Sequence, residues 1–179
     1  MNRLPDRVEP AQRLFVALFP PPPVQAAIGV HCNDWQWPQG VRLVKPARIH
    51  LTLHFLGNVD AARVPEVISA LSAVEMAPIE LSLSTPRIWR RNGVAVVCPD
   101  PHPGLDRLHR AVVDALQCSG LAHADERWKP HLTIAHRAAQ AQAPHVMAPI
   151  RWLAREFALV RSRLAPPVSR YEILARRQS

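Results

Sequence analysis

The sequence predicts an α+β protein with an internal duplication and largely antiparallel sheets. Two segments of nearly the same pattern are the first reason: Ile49-His50-Leu51-Thr52-Leu53 and Pro130-His131-Leu132-Thr133-Ile134 both contain His, apolar, Thr, apolar, and each half of the 179-residue chain holds one. The second reason is the rough order of local patterns: strand, helix, strands, helix, strands, helix, strands.

The first half of the chain opens with an apolar run, Arg13–Phe19, that four prolines end and that predicts a strand. Val24–Trp37 has helical spacing, and a proline suits the first turn of a helix. Val41–Val44 is a short strand candidate, and Ile49–Leu56 is the clearest strand of the chain. Because successive strand residues face opposite sides, we expect an apolar core face and a polar face, made respectively of Ile49, Leu51, Leu53 and Phe55 and of His50, Thr52 and His54.

The rest of the chain continues the alternation. Asp60 can cap a helix whose apolar positions run from Val64 to Val74, and Pro103-Gly104 opens a second strong helix for which Gly120 is a suitable residue after the C-cap. The remaining strands are predicted at Ile79–Ser84, Gly93–Cys98, His131–Ala135, Arg155–Leu164 and Ser169–Leu174, the last two as a hairpin around Pro166-Pro167.

Length and composition limit the class of protein. The 179 residues suit a single domain, 1–179, or two small lobes that share a core, and 48% of the residues are apolar. Because no run approaches the ~20 apolar residues of a membrane span, and no signal peptide is evident, we expect a cytoplasmic protein. Nothing demands more than a monomer. The three cysteines form no C-x-x-C pair, so neither a disulfide framework nor a zinc site is predicted.

The charge favours polyanionic partners, with nucleic acid first. The formal net charge is +8, from 22 Lys and Arg against 14 Asp and Glu, and almost all the basic residues are arginines. Arginine forks bind phosphate oxygens in bidentate fashion. The alternative, that the charge only aids solubility, stays open.

The paired motifs suit chemistry at a phosphorus atom. His50 and Thr52 share one strand face, as do His131 and Thr133, and a twofold relation between the halves would let the two pairs meet across one groove. Imidazole, whose ordinary pKa is ~6.5, can donate or accept a proton near neutral pH. Threonine hydroxyls can donate to the non-bridging oxygens of a phosphodiester, which gain charge in the transition state. This chemistry requires no metal and no cofactor.

The chain resembles the two-histidine (2H) phosphoesterases, and within them the RNA 2′,3′-cyclic phosphodiesterases, also called 2′-5′ RNA ligase-like proteins. The segments that carry the resemblance are Arg13-Leu14-Phe15-Val16-Ala17, His50-Leu51-Thr52-Leu53-His54-Phe55-Leu56-Gly57, Lys129-Pro130-His131-Leu132-Thr133-Ile134-Ala135, Phe157-Ala158-Leu159-Val160 and Arg170-Tyr171. The resemblance implies a bilobal α+β fold whose sheets line a central basic groove.

The activity that the resemblance implies is the opening of a 2′,3′-cyclic phosphate at an RNA end to a 2′-phosphate. By analogy, His50 protonates the leaving 3′ oxygen, His131 activates water, and Thr52 and Thr133 hold the phosphate. Two alternatives remain: an RNA- or nucleotide-binding module without turnover, and reversible 2′-5′ ligation of RNA ends.

The chain departs from its relatives after the second motif. Relatives usually carry a phosphate-contacting Arg five residues after the histidine, where this chain has His136 followed by Arg137. Strict alternation would place Arg137 on the face of Thr133, whereas a bulge would present His136. We favour Arg137 as a substrate-binding residue.

Several other residues invite two interpretations. Trp89-Arg90-Arg91 could stack a base and hold a phosphate, or could cover a sheet edge; Trp128 could line the groove or pack in the core. His54 could line the substrate site or support it from behind, but we expect an ordinary surface residue. The histidines without motif context, expected at the surface or as caps, are His31, His102, His109, His123 and His145.

Overall fold

The computed structural model describes residues 11–121, 128–163 and 170–179, and His123 and the Pro166-Pro167 turn therefore lie outside the described residues. Its strands are β1 Gln12–Leu18, β2 Arg42–Leu43, β3 Leu51–Val59, β4 Ile79–Trp89, β5 Val94–Pro99, β6 Leu132–His136, β7 Ile150–Ala154, β8 Glu156–Arg163 and β9 Arg170–Gln178. Its helices are α1 Pro22–His31, α2 Val64–Ser72 and α3 Pro103–Cys118, with single 3₁₀ turns at Cys32–Asp34, Pro46–Arg48 and Ala61–Arg63.

The strands form one antiparallel sheet in the order β7-β4-β5-β6-β3-β1-β8-β9, and β2 pairs with β6. The sheet divides into two sets of four strands: the first lobe, β3-β1-β8-β9, carries the first motif, and the second lobe, β7-β4-β5-β6, carries the second. The two lobes join where Leu51 of β3 pairs with Leu132 of β6. The prediction of a bilobal, duplicated α+β fold with antiparallel pairing is confirmed.

The two faces of the sheet bury different sets of residues. One face packs against the helices, and its core includes Leu14, Val16 and Leu18 of β1 together with residues of α1, α2 and α3. We call it the helix face. The opposite face carries a smaller apolar cluster of Phe15, Ala17, Ala158 and Val160, against which Phe19 and Tyr171 pack. We call it the groove face, because both motif histidines lie on it.

Local signals account for the helix ends. Asp60 accepts a hydrogen bond from the Ala62 amide at the turn that leads into α2. His102, one of the predicted surface or cap residues, caps α3 by accepting from the Gly104 amide, and Gly120 follows α3 with a φ of +63°. Helix α1 is shorter than the predicted Val24–Trp37. It ends at His31, where the 3₁₀ turn Cys32–Asp34 begins, and the backbone is extended at Trp35.

Several strands differ from the prediction, and β9, for example, continues to Gln178, four residues beyond its predicted end at Leu174. Strand β7 was not predicted at all, and β4 continues five residues beyond the predicted end at Ser84. Pro86 lies inside this extension and pairs with Val97 of β5, while the β7 pairing of β4 stops at Leu83. Because proline lacks an amide hydrogen, it is tolerated where one side of the strand has no ladder partner.

Among the described residues, no helix has the length and apolarity that a membrane crossing requires.

Candidate active site

The pairing between the lobes places the residues of one motif opposite those of the other. Leu51 and Leu132 are antiparallel partners, so one residue further in each direction places His50 opposite Thr133 and Thr52 opposite His131. Directly opposed residues of an antiparallel pair share a face. Each histidine therefore lies beside the threonine of the other motif, on the groove face.

Both histidines are oriented by the same backbone contact. The His50 Nδ1 atom donates to the Arg48 carbonyl oxygen at 2.7 Å, and the His131 Nδ1 atom donates to the Lys129 carbonyl oxygen at 2.8 Å. In each case the carbonyl belongs to the residue two positions earlier. A carbonyl can only accept, so each ring carries its proton on Nδ1, which leaves Nε2 available to exchange a proton with a ligand.

The rings around the two histidines differ. His50 is enclosed by Phe15, Phe19 and Tyr171, with centroid distances of 4.9, 5.5 and 5.5 Å. His131 lies against Trp89, with the centroids 4.3 Å apart and the planes at 55°. Trp89 thus covers one side of the second histidine, and does not simply cover a sheet edge. The adjacent Arg90 donates to the Ala139 carbonyl.

Burial lowers the pKa of both imidazoles. For His50 desolvation is the main cause, the hydrogen bond to the Arg48 carbonyl opposes it, and the charges of His131 and Arg48 lower the pKa further. For His131 desolvation lowers the pKa and the hydrogen bond to Lys129 opposes it. The neutral forms are therefore favoured in the free protein more than for an imidazole in water.

A bulge in β3 decides which residues reach the groove. Ala17 pairs with Thr52 and Val16 with His54, so Leu53 is an extra residue in the ladder. Beyond it the faces exchange: His54 turns to the helix face and is 7% exposed, whereas Phe55 turns to the groove face and is 50% exposed. The expectations of a core Phe55 and a surface His54 were therefore wrong.

Two side chains from outside the strand hold this bulge. The Trp128 Nε1 atom donates to the Thr52 carbonyl oxygen at 3.0 Å, and the His109 Nδ1 atom donates to the Leu53 carbonyl oxygen at 2.8 Å. The two rings stack at 3.9 Å and 8°. The expectation that His109 is a surface residue was wrong, and Trp128, three residues before His131, links the second motif to the backbone of the first.

We expect Trp128→Phe to lower kcat/KM for the phosphodiesterase reaction predicted above ~10- to 100-fold. Without this hydrogen bond the backbone at Thr52 is no longer held in one position, and small displacements of Thr52 and of the nearby His50 are costly for catalysis. Phenylalanine keeps a ring against His109 but cannot donate to Thr52, so stability should fall by only ~1 kcal/mol. Urea unfolding and steady-state kinetics measure the two effects.

Trp37→Phe is the matched control, because the Trp37 Nε1 atom donates to the Cys32 carbonyl oxygen at 2.8 Å in the segment after α1. It should lose similar stability but retain full activity. Equal kcat/KM in the two variants would refute a positioning role for Trp128.

A second bulge, in β6, changes which of His136 and Arg137 lies on the side of Thr133. Val96 pairs with Thr133 and Ala95 with Ala135, so Ile134 is the extra residue, and the Val44 amide donates to its carbonyl at 2.8 Å. The register then places His136, which pairs with Val94, on the side of Thr133. Arg137 follows the strand with a φ of +57°. Strict alternation was thus the wrong premise, and a phosphate contact by Arg137 remains a prediction without support from the register.

Comparison with known proteins identifies the family. The model of the 2′-5′ RNA ligase superfamily matches residues 20–165. The chain belongs to this superfamily. The resemblance to the 2H phosphoesterases is confirmed at this level.

Several known proteins are similar to this chain over most of its length. It is 31% identical to the RNA 2′,3′-cyclic phosphodiesterase of Thermus thermophilus, across 90% of this chain and 87% of that protein. A crystal structure described as a phosphoesterase superposes with a TM-score of 0.85 at 26% identity, covering 95% of this chain and 98% of that one. Escherichia coli LigT complexed with 3′-AMP gives a TM-score of 0.82 at 26% identity, with 94% and 98% coverage.

Within the described ranges, no group of three or more His, Cys, Asp or Glu side chains is placed to hold a metal ion. What the groove does gather is two imidazoles with available Nε2 atoms and two hydroxyl side chains, which is a set for transferring protons and donating hydrogen bonds to oxyanions.

Proposed function

We propose that this protein is a metal-independent phosphodiesterase that opens 2′,3′-cyclic phosphate ends of RNA, or of short oligonucleotides, to 2′-phosphates. The observation that carries the proposal is the opposition of His50 to Thr133 and of His131 to Thr52 across the junction of the lobes. The name of the Thermus thermophilus relative and the 3′-AMP bound by LigT support RNA ends as the substrate class.

In the proposed reaction, the cyclic phosphate lies between the two imidazoles. The His131 Nε2 atom takes a proton from water as the water oxygen bonds to phosphorus. The protonated His50 gives its Nε2 proton to the 3′ oxygen as the bond from that oxygen to phosphorus breaks. The products are a 2′-phosphate and a 3′-hydroxyl. His131 then releases its proton to solvent and His50 takes one up, which restores both histidines.

Thr52 and Thr133 are proposed to donate to the two non-bridging oxygens, whose negative charge increases as water adds. Each hydroxyl belongs to the motif opposite the histidine that it faces, so the phosphate would be held from both lobes at once. Fixed donors aimed at developing charge cost no reorganisation during the reaction.

A product-resolved assay tests this function. We expect a 2′,3′-cyclic mononucleotide to yield only the 2′-phosphate isomer, at the same rate with and without EDTA, because imidazoles perform the proton transfers. Loss of activity in EDTA with recovery on adding a divalent metal would refute the mechanism. Tight binding without product would favour a binding module, the alternative from another class of protein.

End-joining uses the same residues with the 5′-hydroxyl of a second RNA in place of water: its oxygen bonds to phosphorus, the 3′ oxygen leaves as a hydroxyl, and a 2′-5′ linkage results. The superfamily description makes it the second candidate. The ratio of 2′-5′ linked product to 2′-phosphate at rising concentrations of RNA ends separates the two activities.

A further inference from the structure

Arg48 is a half-buried arginine that lies beside the groove, where its guanidinium could bind an anionic ligand. It closes the 3₁₀ turn Pro46–Arg48, two residues before His50. Its Cζ atom lies 4.6 Å from the centroid of the Tyr171 ring. Its Nε atom is buried and, among the described residues, has no hydrogen-bond partner.

A buried donor without an acceptor costs ~1–3 kcal/mol, and more when the group is charged. Within residues 11–121, 128–163 and 170–179, no carboxylate forms a salt bridge with Arg48. A tertiary structure that keeps such a group needs a compensating contact, and an anion bound in the groove would supply one.

The same arginine is tied to His50 in two ways. Its carbonyl oxygen accepts the His50 Nδ1 hydrogen at 2.7 Å. Its guanidinium contacts Tyr171, whose ring centroid is 5.5 Å from that of His50. The cation, the aromatic ring and the imidazole therefore form one cluster, in which the ring restricts the guanidinium plane.

We propose that Arg48 is a phosphate-binding residue of this groove and supplies a cationic contact to the oxygens of the scissile phosphate next to His50. The inference rests on the proposed function for its substrate and extends it with a residue outside both motifs. A planar guanidinium held before the substrate arrives can donate two parallel hydrogen bonds to a phosphate, at little further cost in entropy.

The anion would also change the proton balance of His50. The charged group facing this imidazole is Arg48, from the 3₁₀ turn, and the titratable group facing it is His131, from the opposite motif. Positive charge on either one opposes the protonation of His50. A phosphate between Arg48 and His50 would offset that repulsion. The acid form of His50 would then be favoured when substrate is present.

Binding of inorganic phosphate, measured by calorimetry, tests the inference without turnover. Arg48→Met keeps a long apolar chain against Tyr171, and we expect it to raise the Kd for phosphate ~10- to 100-fold, as for loss of a charge-assisted hydrogen bond. Arg48→Lys, which retains the charge but lacks the fork, should be intermediate. Equal melting temperatures would show that the variants fold alike.

Lys45→Met is the matched control, because it removes one positive charge from an exposed side chain three residues away. It should leave the phosphate Kd within ~2-fold, since surface charges are screened by water and salt. An equal loss of phosphate affinity in Lys45→Met and Arg48→Met would overturn the inference in favour of a general charge effect. Unchanged phosphate affinity in Arg48→Met would also overturn it.

A second readout concerns His50 alone. In Arg48→Met the alkaline limb of the kcat/KM profile should move to higher pH, because a neighbouring positive charge is gone. If the alkaline limb did not move, the result would contradict an electrostatic effect of Arg48 on His50. If the wild-type protein binds phosphate but opens no cyclic phosphate, the proposed function fails, while the phosphate Kd of Arg48→Met still decides the role of this arginine.

Discussion

Replacing either motif histidine by alanine should reduce kcat for cyclic phosphate opening by ~10²–10⁴-fold, because each removes one proton-transfer group. His50→Ala and His131→Ala should unfold at nearly the wild-type urea concentration, since neither ring belongs to the large core on the helix face. His145→Ala is the matched control, an exposed histidine outside both motifs. Retention of more than a tenth of wild-type activity in either motif variant would contradict proton transfer by that ring.

The pH profile assigns the two roles. His131 as base must be neutral, so kcat/KM rises with pH through its pKa; His50 as acid must be protonated, so kcat/KM falls as pH rises through its pKa. Both pKa values are lowered, so the wild-type profile should already be declining when the pH reaches the ordinary imidazole pKa of ~6.5. His50→Ala should lose the alkaline limb and His131→Ala the acid limb. The reverse pattern would exchange the roles.

Substitution of the motif threonines should give the second large effect. Thr52→Val and Thr133→Val keep the branched shape that suits a strand but remove the hydroxyl, and each is expected to lower kcat by ~10²–10³-fold, as for loss of an oxyanion donor. Thr52→Ser and Thr133→Ser retain the donor and should lose far less. Product analysis with a 2′,3′-cyclic mononucleotide measures these rates.

A comparison of the two valine variants tests the interlocked geometry. Because each threonine faces the histidine of the other motif, the double valine variant should lose more than either single variant. If valine and serine variants were equally impaired, side-chain packing would explain the loss and the hydroxyls would have no role.

The sequence was a good guide wherever one strand decides the outcome. Alternation alone placed His50 with Thr52 and His131 with Thr133, and the groove face carries both pairs. It failed at the last residue of each motif, Leu53 and Ile134, where an extra residue enters the ladder. A bulge depends on distant partners, here Trp128, His109 and the Val44 amide. No local pattern contains that information.

Distant contacts also explain the other residues that sequence reasoning missed. Arg48 is one of many arginines in the chain, and only the approach of Tyr171 from β9 distinguishes it. His109 occupies a position that reads as the side of an amphipathic helix. Its partner carbonyl, on Leu53, lies 56 residues earlier. A signal was present for Trp128, an aromatic residue immediately before the second motif, but not for its bond to the first.

The strand order sets when each lobe can be completed during synthesis. The second lobe draws all its strands from one stretch, Ile79 to Ala154, so they have all been made once residue 154 has been added. The first lobe needs β1 and β3 from the beginning of the chain and β8 and β9 from its end. Until then, β1 has an open edge, which is a hazard for aggregation, and His50 lacks the wall that Tyr171 provides. Translation of the last strand therefore completes the site.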